Sequence, residues 1–304
     1  MIDLGSNTTL LLVMDREGRV LCDQAKVTRL GEGVFGAGAL SGAARERCQR
    51  VVRVMAQRAR SLGCARVVAV GTAALRSAAD GPAFVSNLVS EGTLDAGRVI
   101  SGDEEATLTL EAPRRAAQGR ALSVIDVGGG STEICWGTAR GEARGVSLPL
   151  GSVRLTEACV RSDPATQGDL DSLRAAIARA LPGLEPALRD AECSREQVVA
   201  VAGTATTLAA LDLELEPYEG SRVESHRLTA PRLREWIGRL AALDHAARCR
   251  LAGMDPGRAD ILLAGTTILE RLLVALGARE CRVSERGVRH GLALRLLAGT
   301  EALW

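Results

Sequence analysis

Lysine is almost absent from this chain: Lys26 is the only one, and every other basic residue is arginine. A P-loop needs Gly-Lys-Ser/Thr at the mouth of a helix, so that route to a bound phosphate is closed. Histidine is nearly as scarce. His226, His245 and His290 show no H-E-x-x-H spacing and no His-Asp pair, which argues against a zinc hydrolase, and no G-x-S-x-G elbow supports Ser-His-Asp chemistry. Aromatics make up 2% of the residues, too few for a stacking surface. Charge of one sign is also missing. The formal net charge of +1 excludes a general nucleic-acid surface, because binding to a polyanion needs a concentrated basic excess.

No run of about 18 apolar residues occurs, and Met-Ile-Asp-Leu-Gly lacks the regions of a signal peptide. The expectation is a cytoplasmic protein with no membrane partner. The eight cysteines are scattered without a C-x-x-C pair, which in a chain of this kind reads as mostly buried free thiols.

What is present is an internal echo. Ile2-Asp3-Leu-Gly-Ser-Asn-Thr-Thr9 and Ile125-Asp126-Val-Gly-Gly-Gly-Ser-Thr132 align without a gap. Each is an apolar strand end, an aspartate, a turn of small residues and then a second apolar stretch, so each reads as a hairpin. With 304 residues, 46% of them hydrophobic, the chain is long enough for two cores, and the two copies open two halves. Duplicated domains over 1–119 and 120–304, divided at Gly119-Arg120, are expected, with a cleft between them.

Within the first half, apolar spacing from Ser41 to Gly63 predicts a helix. Arg66–Val70 reads as a buried strand running into a turn at Gly71-Thr-Ala-Ala-Leu-Arg76. A helix near Pro82–Glu91, a strand at Arg98–Ser101 and a helix from Asp103 follow. In the second half, helices broken by Pro164 and Pro182 precede the strand Val198–Ala202 and a second small-residue turn, Gly203–Thr207. Strands alternating with helices give an α/β fold with a partly parallel sheet.

A turn of glycines and hydroxyl residues after a strand lets backbone N–H groups converge on phosphate oxygens, since glycine lacks Cβ and permits positive φ. A carboxylate beside such a cradle repels the ligand unless a cation lies between them, and Mg²⁺ is the usual one. Asp3, Asp126 and Glu133 are thus the metal-side candidates.

These residues carry a resemblance. The loop Asp126–Glu133, the opening Ile2-Asp3-Leu-Gly-Ser-Asn7 and Ile100-Ser-Gly-Asp-Glu-Glu-Ala106 resemble the exopolyphosphatase/guanosine pentaphosphate phosphohydrolase family. Gly71–Arg76, Leu148-Pro-Leu-Gly-Ser-Val-Arg154, Ala202-Gly-Thr204 and Val283–Arg289 continue the match in order along the chain. The resemblance implies duplicated actin-like ATPase (ribonuclease H-like) domains and hydrolysis of a terminal phosphate. It places the water-activating base on Glu105 rather than Glu104, and adjacent helical side chains point about 100° apart, so both are not expected to face one cleft.

By the same resemblance Asp126 and Glu133 hold Mg²⁺, while Gly128, Gly129, Gly130 and Ser131 hold the terminal phosphate. Asp3, Gly5, Ser6 and Asn7 meet it from the other domain, and Gly203 and Thr204 close the cradle. Arg76 and Arg154 are candidate clamps for non-reacting phosphates, with Arg29, Arg286 and Arg289 as weaker ones.

Two departures bear on activity. The chain resembles the short, two-domain members, in which a homodimer would rebuild the channel that long members use for extended chains. Only Met1 and Ile2 precede Asp3, so a frayed first strand or an upstream start is expected. Polyphosphate is the leading substrate and guanosine pentaphosphate the alternative; an actin-like kinase and a non-catalytic sensor remain as other classes.

Overall fold

The computed structural model describes residues 1–138 and 141–299. The chain forms two compact units: Met1–Ala112 with the helix Val288–Leu297, and Pro113–Gly287. The division lies a few residues before the expected Gly119-Arg120 boundary, inside the helix Gly102–Ala116 and at its proline, Pro113. The chain end does not follow the expected 120–304 block, since the last helix packs with the first unit.

The first sheet contains β1 (Ile2–Leu4), β2 (Thr8–Met14), β3 (Val20–Val27), β4 (Val68–Gly71) and β5 (Ala96–Val99), in the order β3-β2-β1-β4-β5. The second contains β6 (Leu122–Val127), β7 (Thr132–Gly137), β8 (Arg144–Leu148), β9 (Val198–Val201), β10 (Arg227–Thr229) and β11 (Glu280–Val283). Read from its β8 edge, its order is β8-β7-β6-β9-β11-β10. β10 aside, the orders superimpose: two antiparallel pairings, then two parallel ones. This is the duplicated actin-like, ribonuclease H-like fold that the resemblance implied.

The first strand is not frayed. β1 is central, paired with β2 on one side and β4 on the other, and the Met1 carbonyl accepts from the Leu12 N–H at 2.9 Å. Three residues suffice because Ile2 and Leu4 are fully buried and both flanking strands supply hydrogen bonds. The helix Gly42–Ser61 starts at Ser41, whose hydroxyl accepts from the Ala44 N–H. It buries Ala44, Cys48, Val52, Met55 and Ala59 along one face. All eight cysteines are free, and Cys48, Cys135, Cys193 and Cys281 are buried.

Two expected turns are helical. Gly71–Arg76 continues into the short helix Ala73–Ser77, and Gly203–Thr207 lies in the first turns of the helix Ala202–Asp212. β3 carried no strand signal because both of its faces are largely exposed. The expectation of no His-Asp pair also fails: His226 Nε2 lies 3.0 Å from Asp212, whose other oxygen accepts from Arg232 and Trp236. Sequence separation hides this pair, and Asp212, the last residue of the helix Ala202–Asp212, is bonded by Arg232 and Trp236 to the helix Ala230–Ala242. Among the described residues no helix is long and apolar enough to cross a membrane.

Candidate active site

The echo survives as geometry. In the first unit the Gly5 N–H donates to the Thr8 carbonyl at 3.2 Å, and in the second the Gly128 N–H donates to the Ser131 carbonyl at 3.0 Å. Neither glycine takes positive φ. A β-carbon would press that same carbonyl in both, at 2.7 Å for Gly5, where the backbone would have to shift, and at a tight 3.0 Å for Gly128. The strand pairs match too: Asp3 opposes Leu10, and Asp126 opposes Glu133.

Each loop is braced from behind through its carbonyls. The Ser6 carbonyl accepts from the Gly31 N–H at 2.7 Å, and the Asn7 carbonyl accepts from the Thr28 and Arg29 N–H groups. In the second unit the N-terminus of the helix Ser152–Cys159 does this work. Ser152 N–H reaches the Gly128 carbonyl at 2.9 Å, and Val153 and Arg154 N–H groups reach that of Gly129 at 2.9 and 3.1 Å. Tying the carbonyls to that helix turns the loop's N–H groups the other way. Among the described residues those of Gly129 and Gly130 meet no backbone acceptor, which suits them to bind an anion.

Arg154, expected as a phosphate clamp, donates from Nε to the Gly130 carbonyl at 2.8 Å and so also holds the loop. Gly151, outside the expected set, has Gly129 and Gly130 packed on its Cα: a β-carbon would lie 2.3 Å from the Gly129 oxygen.

The two carboxylates of this unit oppose each other at the mouth of the β6–β7 hairpin. Glu133 is 1% exposed and accepts the hydroxyls of Ser131 and Ser147 on the same oxygen, Oε1, at 2.7 Å each. The Ser131 hydroxyl therefore spends its proton on Glu133. The thiol of Cys135, two pairs further along the hairpin, is pushed well above the usual range by burial and by the charges of Asp126 and Glu133. Carboxylate and hydroxyl oxygens are a hard donor set that suits Mg²⁺, which usually takes one or two carboxylates and completes its shell with phosphate oxygens and water. Among the described residues no group of three or more His, Cys, Asp or Glu is placed to hold a metal ion.

The third small-residue segment follows β9. Ala202 takes φ 65°, a strained left-handed conformation for a residue with a side chain. The kink starts the helix so that the Thr204 hydroxyl donates to the Val127 carbonyl at 3.3 Å, tying this segment to the end of β6. Arg258 packs flat on Gly203, where a β-carbon would lie 1.1 Å from its Nη1. No local sequence signal marks Arg258 or Ser147.

In the first unit the helix Gly102–Ala116 begins at Ser101, whose hydroxyl accepts from the Glu104 N–H. The two glutamates are distinguished sharply. Glu104 is partly exposed and forms a two-pronged ion pair with Arg98. Glu105 is 7% exposed and accepts from Arg76 Nη1 at 2.9 Å. The same Arg76 nitrogen donates to the Ile100 carbonyl at 2.9 Å, so the arginine expected as a phosphate clamp fixes Glu105 against the end of β5. Asp3, Ser6 and Asn7 are buried at the β1–β2 hairpin of the same unit.

The second unit thus holds a glycine-rich loop beside oxygen donors, and the first holds a buried, arginine-held glutamate; each is a kind of group that phosphoryl transfer uses. Comparison with known proteins agrees. Exopolyphosphatase 2 of Mycobacterium tuberculosis is 32% identical over 315 residues, covering 97% of this chain and 97% of that one. Exopolyphosphatase 1 of the same species is 31% identical over 305 residues, covering 98% and 87%. The solved structure of the Aquifex aeolicus Ppx/GppA family member superimposes with a TM-score of 0.79 at 26% identity, over 99% of this chain and 97% of that one. The model of the Ppx/GppA phosphatase family matches residues 14–299, and the chain belongs to that family.

Proposed function

We propose that this phosphatase is an exopolyphosphatase, which releases orthophosphate from the end of inorganic polyphosphate by in-line attack of water. The observation that carries the reading is Glu105: a buried carboxylate on a helix start, held by Arg76, while its neighbour Glu104 is engaged by Arg98. Glu105 can accept a hydrogen bond from water and take its proton as the phosphorus–oxygen bond forms.

The rest of the chemistry is positioning and charge neutralisation. In the second unit the loop of Gly128, Gly129, Gly130 and Ser131 grips the terminal phosphate, chiefly through the N–H groups of Gly129 and Gly130, with Gly203 and Thr204 beside them. In the first, the β1–β2 loop of Gly5, Ser6 and Asn7 has the same bonding pattern and is assigned the same affinity. In the second unit Asp126 and Glu133 are the residues that would hold Mg²⁺, and in the first Asp3 is assigned the same kind of role. Bound there, the ion would supply neutralisation of charge on the phosphate oxygens, and the shortened polyphosphate leaves with the bridging oxygen. The mycobacterial relatives named exopolyphosphatase support polyphosphate as the substrate.

The test is phosphate release from short polyphosphate, long polyphosphate and guanosine pentaphosphate, with Mg²⁺ and no acceptor, for native protein and Glu105→Gln. Loss of a general base should lower the rate about 10²–10⁴-fold. An unchanged rate in the variant would remove Glu105 from the mechanism. Release from guanosine pentaphosphate alone would replace polyphosphate as the substrate.

A further inference from the structure

Strand register builds a row of three polar side chains across the second sheet. Asp126 on β6 opposes Glu133 on β7, and Glu133 opposes Ser147 on β8. Directly opposed residues on antiparallel neighbours project from the same face of the sheet. The row is therefore made by pairing, although Ser147 lies well along the chain from Glu133.

Both hydroxyls that meet Glu133, those of Ser131 and Ser147, donate to Oε1 at 2.7 Å. A carboxylate buried this deeply has lost its water and needs donors in place. Bonds to an ionised acceptor are stronger than neutral ones, and two converging on one oxygen fix the torsion of the whole group. Ser131 belongs to the loop that carries the anion site. Ser147 belongs to a strand, half-buried and hydrogen-bonded in the ladder, and so references Glu133 to the rigid sheet.

We propose that Ser147 is the positioning residue for Glu133, holding its carboxylate in the orientation that accepts a divalent cation. The inference rests on the reading of Glu133 as a cation ligand. Partners behind a metal ligand typically set about 10–100-fold of its affinity. Thr at this position keeps the hydroxyl, and Val has nearly the shape of Thr without it, so the pair isolates the hydrogen bond from packing.

The test is Mn²⁺ binding to the full chain, followed by electron paramagnetic resonance, for native protein, Ser147→Thr, Ser147→Val and Glu133→Gln. The Mg²⁺ dependence of phosphate release from polyphosphate is measured alongside. Ser147→Val should bind Mn²⁺ about tenfold more weakly than native and need correspondingly more Mg²⁺, with kcat recovering at saturating Mg²⁺. Ser147→Thr should behave as native, and Glu133→Gln should lose most binding. Equal Mn²⁺ affinity in the Thr and Val variants would overturn the proposal. So would native affinity in Glu133→Gln, or a native protein that binds no Mn²⁺. A native protein that binds Mn²⁺ yet releases no phosphate would defeat the proposed activity instead, and the Thr–Val comparison would still decide the role of Ser147.

Discussion

Gly151 shows how little room the site leaves at single atoms. A β-carbon there would meet Gly129 O at 2.3 Å and Gly130 C at 2.4 Å, and both are backbone atoms that cannot rotate aside. Gly151→Ala should push the phosphate loop off the helix that braces it. Overpacking of this kind costs about 1–3 kcal/mol of stability, and a 1 Å misplacement of a binding group can cost about 10²-fold in rate. Phosphate release measured beside the melting temperature checks this: a folded variant with native kcat would show that the loop tolerates the shift. The equivalent strain at Ala202 is intrinsic, held by the Thr204 bond to β6.

At the scale of elements, the β7–β8 ribbon that carries Glu133 and Ser147 is anchored at its far end by Asp190. This carboxylate accepts from Trp136 Nε1 at 2.8 Å, the Glu192 N–H at 2.9 Å and Arg144, while Trp136 and Arg144 oppose each other across the ribbon. The Trp136 bond, the Glu192 amide and Arg144 together pull its pKa from 3.8 down to about 2. Because the folded value is the lower one, folding favours the ionised form. That stabilisation is complete above the unfolded value of 3.8 and is lost as pH falls through about 2. Asp190→Asn should therefore melt earlier than native protein at neutral pH, with the gap closing between pH 4 and pH 2. A gap independent of pH in thermal melts would assign the loss to shape rather than charge.

At the scale of the whole molecule, the chain returns to its first unit. The helix Val288–Leu297 packs Val288 and Leu292 with Met1, Val70, Ile100 and Leu108, and Gly291 lies against the Leu108 carbonyl, where a β-carbon would come to 1.9 Å. Arg289 grips Asp23 on β3 through two bonds, at 3.1 and 2.9 Å. A chain ended after Gly287 should expose that apolar cluster beside the helix bearing Glu105. Limited proteolysis of the truncated chain should cut within residues 1–112 while the second unit resists; equal resistance in both would show that the helix is dispensable to the first unit.

The fold was legible where local patterns repeat. The two hairpins, the helix after Ser41 and the alternation of strands with helices follow from apolar spacing and turn chemistry, and the gap-free echo around Asp3 and Asp126 forecast two sheets of one topology. The small-residue turn at Asp126–Glu133 was legible for a similar reason, since contiguous residues build it, whereas Glu105 was singled out from Glu104 by the family resemblance. Tertiary structure decided the rest. The three-residue β1 depends on strands that flank it from elsewhere in the chain. Arg76 and Arg154 were read as candidate clamps for substrate; only packing shows that one also holds Glu105 and the other the Gly130 carbonyl. Ser147 meets Glu133, and Arg258 meets Gly203, only through pairing and packing between segments far apart in the chain. A sequence fixes which chemical groups exist and how neighbours along the chain are spaced; which distant groups share one hydrogen bond is set by register and burial, and those arise only on folding.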